Sequence, residues 1–292
     1  MKQRNYPWWR SNPINLQQTR LDLREKLTKA DCDSPGNTSL ILLEDTLNQP
    51  KSWILSHGDY QLSQIEWKSL LSKLESLLQG VPLPYVLGHW EFFGRSFIVT
   101  PDVLIPRPET ELIVETAIQH AQSLPHPRII DIGTGSGAIA ISLAAELPGA
   151  TVLGVDLSMA ALQIAQANTN RLCPSRVTYV QANLLQPFSM EFDVICANLP
   201  YIPRHTLAHL PVSRWEPSLA LDGGETGLDV IKILLSQART RLSPTGVVLL
   251  ETEASLGAET LAAAKVIFPN AGLQLVQDLA GRDRLVEICL SN

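Results

Sequence analysis

The 292-residue chain has few cysteines, a low proportion of charge and no long apolar run. Its four cysteines, Cys32, Cys173, Cys196 and Cys289, lie far apart and form no CxxC pair. That spacing excludes a disulfide framework and a thiol zinc site, leaving buried or reduced thiols, and no metal site is expected. No apolar stretch approaches the ~20 residues that a membrane span needs. Met1–Asn5 leads into polar and aromatic residues rather than an apolar segment, so no signal peptide is expected and the cytoplasm is the expected compartment. Charged residues make up 18% and sum to −6. A general nucleic-acid binder shows a strong basic excess, so no stable nucleic-acid binding is expected. What is present is ordinary globular composition, 45% apolar, with no low-complexity segment or repeat. At ~150 residues per domain, the length suggests two domains.

The first ~85 residues read as helical, with 10 Lys and Arg against 9 Asp and Glu. Leu16, Leu23 and Leu27 recur near helical spacing, and Leu40–Leu47 is a second apolar segment. Ser63 and Glu66 have capping-box spacing, with Leu62 and Trp67 as a candidate staple. Leu70, Leu71, Leu74, Leu77 and Leu78 then form one stripe, which Gly80 and Pro82 end. From about residue 125 the pattern changes to short β-rich runs: Arg128–Ile132, Thr151–Val155, Val177–Val180, Phe192–Ala197 and Gly246–Glu251. Between them lie helical stretches, Ala138–Glu146, Met159–Asn170 and Leu228–Leu242. This alternation predicts a doubly wound α/β sheet of parallel strands. Leu273–Val276 and Arg284–Leu290 flank a turn too short for a helix, so they should pair antiparallel. The expected organisation is a helical domain over 1–84, a linker or β-hairpin over 85–108, and an α/β domain over 109–292.

Asp131-Ile-Gly133-Thr-Gly135-Ser-Gly137 joins the first parallel strand to its helix. Alternating glycines let the backbone turn tightly and let a ligand approach the main chain. The spacing also fits a dinucleotide fingerprint, with Asp156 about 20 residues on where a ribose hydroxyl would bind. The loop alone does not separate a nicotinamide cofactor from S-adenosylmethionine. Asp131 tips the choice, because a carboxylate there repels a pyrophosphate but accepts hydrogen bonds from a cationic amino-acid group. The plainer role for Asp156 is capping the next helix.

The fourth strand runs into Asn198-Leu-Pro-Tyr201. Ligands of open parallel sheets bind beyond the carboxyl ends of the strands, so this tetrapeptide should sit beside the glycine loop's ligand. The Asn198 side-chain oxygen and the Leu199 carbonyl can both accept from one NH2 group. Pro200 keeps Leu199 out of the helical region, which aims that carbonyl, and Tyr201 offers a flat face. An amide nitrogen is a poor nucleophile because its lone pair is delocalised. Two acceptors gripping its N–H bonds opposite an electrophilic methyl carry the catalysis by proximity and electrostatic fixation. The plainer reading is a turn ended by proline.

Asp131–Gly137, Asp156 and Asn198–Tyr201 together resemble class I S-adenosylmethionine-dependent methyltransferases of the Asn-Pro-Pro-Tyr type. Their targets are planar conjugated nitrogens. Pro82–Gly88, Phe92–Gly94, Val103–Glu111, Glu216–Gly224 with Gly227–Asp229, and Asp278–Asp283 resemble the peptide chain release factor glutamine-N5 methyltransferases more narrowly. The resemblance covers roughly residues 80–290. It implies a seven-stranded, Rossmann-like catalytic domain behind a smaller helical N-terminal domain that helps dock the substrate. The implied reaction transfers a methyl group from S-adenosylmethionine to the glutamine of the Gly-Gly-Gln loop of class-1 release factors. The resemblance assigns Asp131 and Gly133, Thr134, Gly135, Ser136 and Gly137 to the cofactor's methionine part and Asp156 to its ribose. Asn183 or Leu184 would meet the adenine, and Asn198, Leu199, Pro200 and Tyr201 would hold the substrate glutamine, with Asn198 also beside the cofactor. The family commonly has proline where this chain has Leu199, but the duty there is a main-chain carbonyl, which leucine also supplies. Ile105–Pro108 either lies over the cofactor or simply opens a helix. Trp8, Trp9 and Trp90 are candidate interface anchors or core aromatics. The alternative enzyme is a DNA adenine-N6 methyltransferase acting on a flipped base. Against it stands the balance after residue 85, 13 Lys and Arg to 20 Asp and Glu. A nicotinamide-dependent oxidoreductase leaves Asn198–Tyr201 unexplained, and an inactive binding protein of this fold is the remaining reading.

Overall fold

A computed structural model describes residues 15–290, so Trp8 and Trp9 lie outside the described residues. The chain divides into two compact units, the first ending at Leu87 and the second beginning at Gly88. In the first unit, α1 (Leu16–Lys29), α2 (Pro35–Leu47), α3 (Lys51–Ser56), α4 (Gln64–Leu78) and α5 (Leu83–Leu87) enclose a leucine core. Asn15 caps α1 by accepting from the Gln18 amide at 3.0 Å. The capping box on α4 is formed: Glu66 N donates to Ser63 Oγ at 3.3 Å, and Ser63 N donates to the Glu66 carboxylate at 2.6 Å. Such a cap contributes about 1 kcal/mol. Of the leucine stripe on α4, Leu70 and Leu74 are buried, whereas Leu78 in the last turn is exposed.

The second unit opens with a hairpin, β1 (His89–Phe92) and β2 (Arg95–Ile98), paired antiparallel. Phe92 and Phe97 are buried among Ile113, Val114 and Leu143. Of the linker or hairpin expected over 85–108, the hairpin forms, and its Phe92 and Phe97 join this unit's core. A 3-10 turn over Pro108–Thr110 leads into α6 (Glu111–Ala121). The remaining elements are β3 (Arg128–Ile132), α7 (Ala138–Glu146), β4 (Thr151–Asp156), α8 (Met159–Leu172), β5 (Val177–Gln181), β6 (Phe192–Ala197), α9 (Arg204–Leu207), α10 (Asp229–Ala238), β7 (Leu242–Glu251), α11 (Gly257–Ile267), β8 (Gly272–Gln277) and β9 (Asp283–Cys289). Seven of these strands form one sheet in the order β5-β4-β3-β6-β7-β9-β8. β3 to β7 pair parallel, while β9 runs antiparallel to both β7 and β8.

Neighbouring residues on the central strands face opposite layers, as strand geometry requires. On β6, Val194 and Cys196 pack with Ile139, Ile141 and Leu143 of α7. Ile195 and Ala197 pack on the other face with Ile231, Leu234 and Leu235 of α10. Burial on both faces is why these strands are continuously apolar. Several elements depart from the sequence pattern. The helix expected over Leu228–Leu242 stops at Ala238, and the strand expected from Gly246 begins at Leu242, which pairs with Phe192. α11 has no predicted counterpart, because its many alanines leave little contrast between its faces.

Candidate active site

The sheet order changes direction at β3, which has β4 on one side and β6 on the other. Beyond the carboxyl ends of these strands, where such sheets bind ligands, lies a cavity of about 260 Å³. Gly133, Thr134, Gly135, Ser136, Asp156, Asn183, Leu184, Asn198, Leu199 and Pro200 all line it. Segments nearly seventy positions apart in sequence therefore share one chamber.

The glycine loop is held from below. Gly133 N and Thr134 N donate to the Val155 carbonyl at 2.8 and 2.9 Å, which ties the loop to the end of β4. Gly133 has φ +74, and a Cβ there would lie 3.2 Å from Leu199 Cδ2 and 3.6 Å from the Asn198 carbonyl oxygen. The loop and the tetrapeptide approach each other closely enough to need glycine at that point. Asp156 accepts from Gly135 N and Ser158 N, both at 2.9 Å. Burial pushes its carboxyl pKa up, opposed by those amide donors. The cap of α8 is Ser158, whose hydroxyl accepts from Ala161 N at 3.2 Å. Asp156 is thus left at the cavity wall. Leu184, at the cavity wall, adopts left-handed backbone, φ +54, an uncommon conformation for a bulky side chain.

Three residues expected at the ligand do not line the cavity. Asp131 is fully buried beneath the loop, where its Oδ2 accepts from Thr134 Oγ1 at 2.6 Å and from Ala140 N at 3.2 Å. Its Oδ1 has no hydrogen-bond partner, and burial raises its pKa to about 7. Asp131 shapes the loop instead of lining the chamber. Gly137, φ +82, is needed for packing, since a Cβ there would lie 2.7 Å from Tyr179 Oη and 3.0 Å from Ile141 Cδ1. Tyr201 packs beside the α10 face of the core, and burial, with Glu251 nearby, pushes its hydroxyl up to about 12.

Other residues complete the site. Asn198 Nδ2 donates to Thr110 Oγ1 at 3.0 Å, and Thr110 Oγ1 donates to Glu251 Oε2 at 2.6 Å. Arg107 ion-pairs with the buried Glu216, which also accepts from Ile105 N at 3.2 Å. That bond fastens the Ile105–Pro108 loop to the segment carrying Leu219, Ala220 and Asp222, all cavity residues. The chain after Tyr201 is zipped to the same segment, with Gly223 N donating to the Ile202 carbonyl at 2.9 Å. Leu157, half-exposed and next to Asp156, offers an apolar surface to the cavity. Neither Thr110 nor Glu251 stands out individually in the sequence. Thr110 was visible as part of the Val103–Glu111 motif, whereas the end of β7 carried no local signal.

The donor set fits an adenosyl amino-acid ligand. Gly133 gives close main-chain approach, Asp156 an acceptor at the cavity wall, and Asp131 a buried carboxylate with one open oxygen beneath the loop. A model of the methyltransferase small domain matches residues 109–210, and one of the PrmC N-terminal domain matches residues 18–88. The "Release factor glutamine methyltransferase" of Moorella thermoacetica is 36% identical over 274 residues, 93% of this chain and 97% of its own length. The chain belongs to the release factor glutamine methyltransferase family. The Bordetella pertussis member is 38% identical over 88% of this chain and 95% of its own. These enzymes are S-adenosylmethionine-dependent methyltransferases, and the class I fold extends to more distant solved structures. A methyltransferase from Pyrococcus furiosus superposes with a TM-score of 0.53 at 17% identity, covering 79% of this chain and all of that one. A T. thermophilus 16S rRNA methyltransferase solved with AdoMet and guanosine gives 0.52 at 20% identity, covering 70% and 50%. These two share the fold alone.

Proposed function

We propose that the chain methylates the side-chain amide nitrogen of the glutamine in the Gly-Gly-Gln loop of class-1 peptide chain release factors. The observation that carries the reading is that Asn198 and Leu199 line the same cavity as Gly133–Ser136 and Asp156. When bound, S-adenosylmethionine supplies an electrophilic methyl carbon on a sulfonium. Asn198 Oδ1 and the Leu199 carbonyl accept the two N–H bonds of the substrate carboxamide, which fixes its nitrogen toward that carbon. Leu199 keeps the carbonyl in place by burying its side chain against the glycine loop. Pro200 restricts the turn that follows. Asp156 accepts from the ribose, Leu157 and Leu184 cover the adenine, and Asn183 stands at its edge. Asp131 favours a cation above the loop through its charge. No carboxylate among the described cavity residues is needed as a strong base, because a methylated amide sheds its proton to solvent once its nitrogen becomes cationic.

The helical domain of residues 1–84, with the segment 85–108, is assigned to docking the release factor. Residues 109–292 are assigned to the chemistry. The activity belongs to translation and hence to the cytoplasm, and the acidic charge after residue 85 disfavours stable nucleic-acid binding. A DNA adenine target is not favoured by the curated relatives, whose names give release factors. The test is incubation with labelled S-adenosylmethionine beside purified release factor and duplex DNA, with mass spectrometry locating the methyl group. Label on the Gly-Gly-Gln glutamine is expected, and label on DNA alone overturns the reading. In the same assay Asn198→Ala should lower turnover by about 100-fold or more. Its cofactor affinity by calorimetry should stay within a few-fold.

A further inference from the structure

We propose that Glu251 is a positioning residue: through Thr110, its carboxylate decides which end of the Asn198 carboxamide faces the cavity. An ionised carboxylate only accepts, so the single hydroxyl hydrogen of Thr110 goes to Glu251 Oε2, at 2.6 Å. Thr110 Oγ1 can then only accept from Asn198, whose NH2 end lies 3.0 Å away. This turns Asn198 Oδ1 toward the cavity as the acceptor that a substrate amide needs. The inference therefore rests on the reading of Asn198 as that acceptor.

Protonating Glu251 reverses the chain. A carboxylic acid donates to Thr110, the hydroxyl hydrogen is released to Asn198 Oδ1, and the NH2 end turns to face the substrate's own NH2. Donor then meets donor, and the grip is lost. The groups around Glu251 set where this happens. Hydrogen bonds from Thr110 and Asn198 and the charge of Arg284 on β9 favour ionisation, while Glu109, ahead of α6, opposes it, and Arg284 is itself shared with Asp278 at 3.0 Å and Glu109 at 3.8 Å. Tyr201, in turn influenced by Arg107, Glu253 and Arg284, is neutral beside it. Burial dominates, and the Glu251 carboxyl is raised to about 7.

The experiment measures kcat/KM for a release-factor substrate, at saturating S-adenosylmethionine throughout, across roughly pH 6 to 9 in wild type, Thr110→Val, Thr110→Ser, Glu251→Gln and Asn198→Ala. Wild-type kcat/KM should rise through pH 7 and then level. Thr110→Val should lose about tenfold or more at pH 8 while binding S-adenosylmethionine within twofold of wild type by calorimetry. Thr110→Ser, which keeps the hydroxyl, should stay within threefold. Glu251→Gln should lack the acid limb whatever its plateau. The proposal is overturned if Thr110→Val retains wild-type kcat/KM, or if Glu251→Gln keeps the wild-type acid limb. Failure of the underlying reading looks different, for then Asn198→Ala itself turns over normally.

Discussion

Asp131 and Glu251 are two buried carboxyl groups at the ends of neighbouring parts of one sheet, and burial raises both to about 7. Their partners set them apart. Asp131 spends one oxygen on Thr134 and Ala140 and leaves the other without a partner beneath the glycine loop. Glu251 is joined through Thr110 to a neutral amide. One carboxylate keeps an oxygen without a partner, and the other is satisfied within the protein. Desolvation raises both pKa values, so the partners alone distinguish the tasks.

The largest expected difference is in cofactor binding. Asp131→Asn should weaken S-adenosylmethionine by about tenfold or more, since it removes the buried negative charge beneath the glycine loop. In wild type, binding near pH 7 should release part of a proton as Asp131 ionises, and almost none at pH 9. Calorimetry in buffers of different ionisation enthalpy reads this, and Asp131→Asn should abolish it. A smaller effect is on stability without ligand. In the unfolded chain these carboxyls ionise near pH 4, so the folded state binds more protons between about pH 4 and 7. Stability should therefore fall as pH rises through that window, and both Asp131→Asn and Glu251→Gln should flatten the fall in denaturant titrations. Gly137→Ala should destabilise by about 1–2 kcal/mol from its positive φ, before its crowding against Tyr179 is added. The smallest effect belongs to the tetrapeptide. Leu199→Pro keeps the carbonyl, so turnover should stay within about threefold of wild type.

The sheet was legible wherever apolar runs were short, β-rich and bounded by turns. β3 and β6 begin and end at the residues that the pattern suggests. The start of β7 was hidden because Ser243, Pro244 and Thr245 interrupt its apolar pattern, although β6 still pairs through Leu242. At the site, residues with a main-chain duty were legible, since glycine and proline betray backbone demands. Gly133 and Leu199 reach the cavity on those terms. Which way a side chain points was not. Asp131 lies in the same motif as Gly133, yet its carboxylate turns down toward α7. Tyr201 follows Pro200 directly, yet its ring joins the core. The pairing of Thr110 with Glu251 spans 141 positions, and sequence spacing cannot report a contact that only the sheet creates.

The strand order carries a further consequence for assembly. β9 follows β8 in the chain but lies between it and β7, so β8 has nothing to join until the later segment has been laid down. Leu285 on β9 is the register partner of Glu251. A chain cut after β8 would leave Val247–Glu251 as an unpaired margin of apolar backbone, open to association with other molecules. The same cut would also strip away Arg284, whose charge favours the ionised form of that acid. The tail strand therefore covers the edge of β7 and carries a charge that bears on the acid at its end.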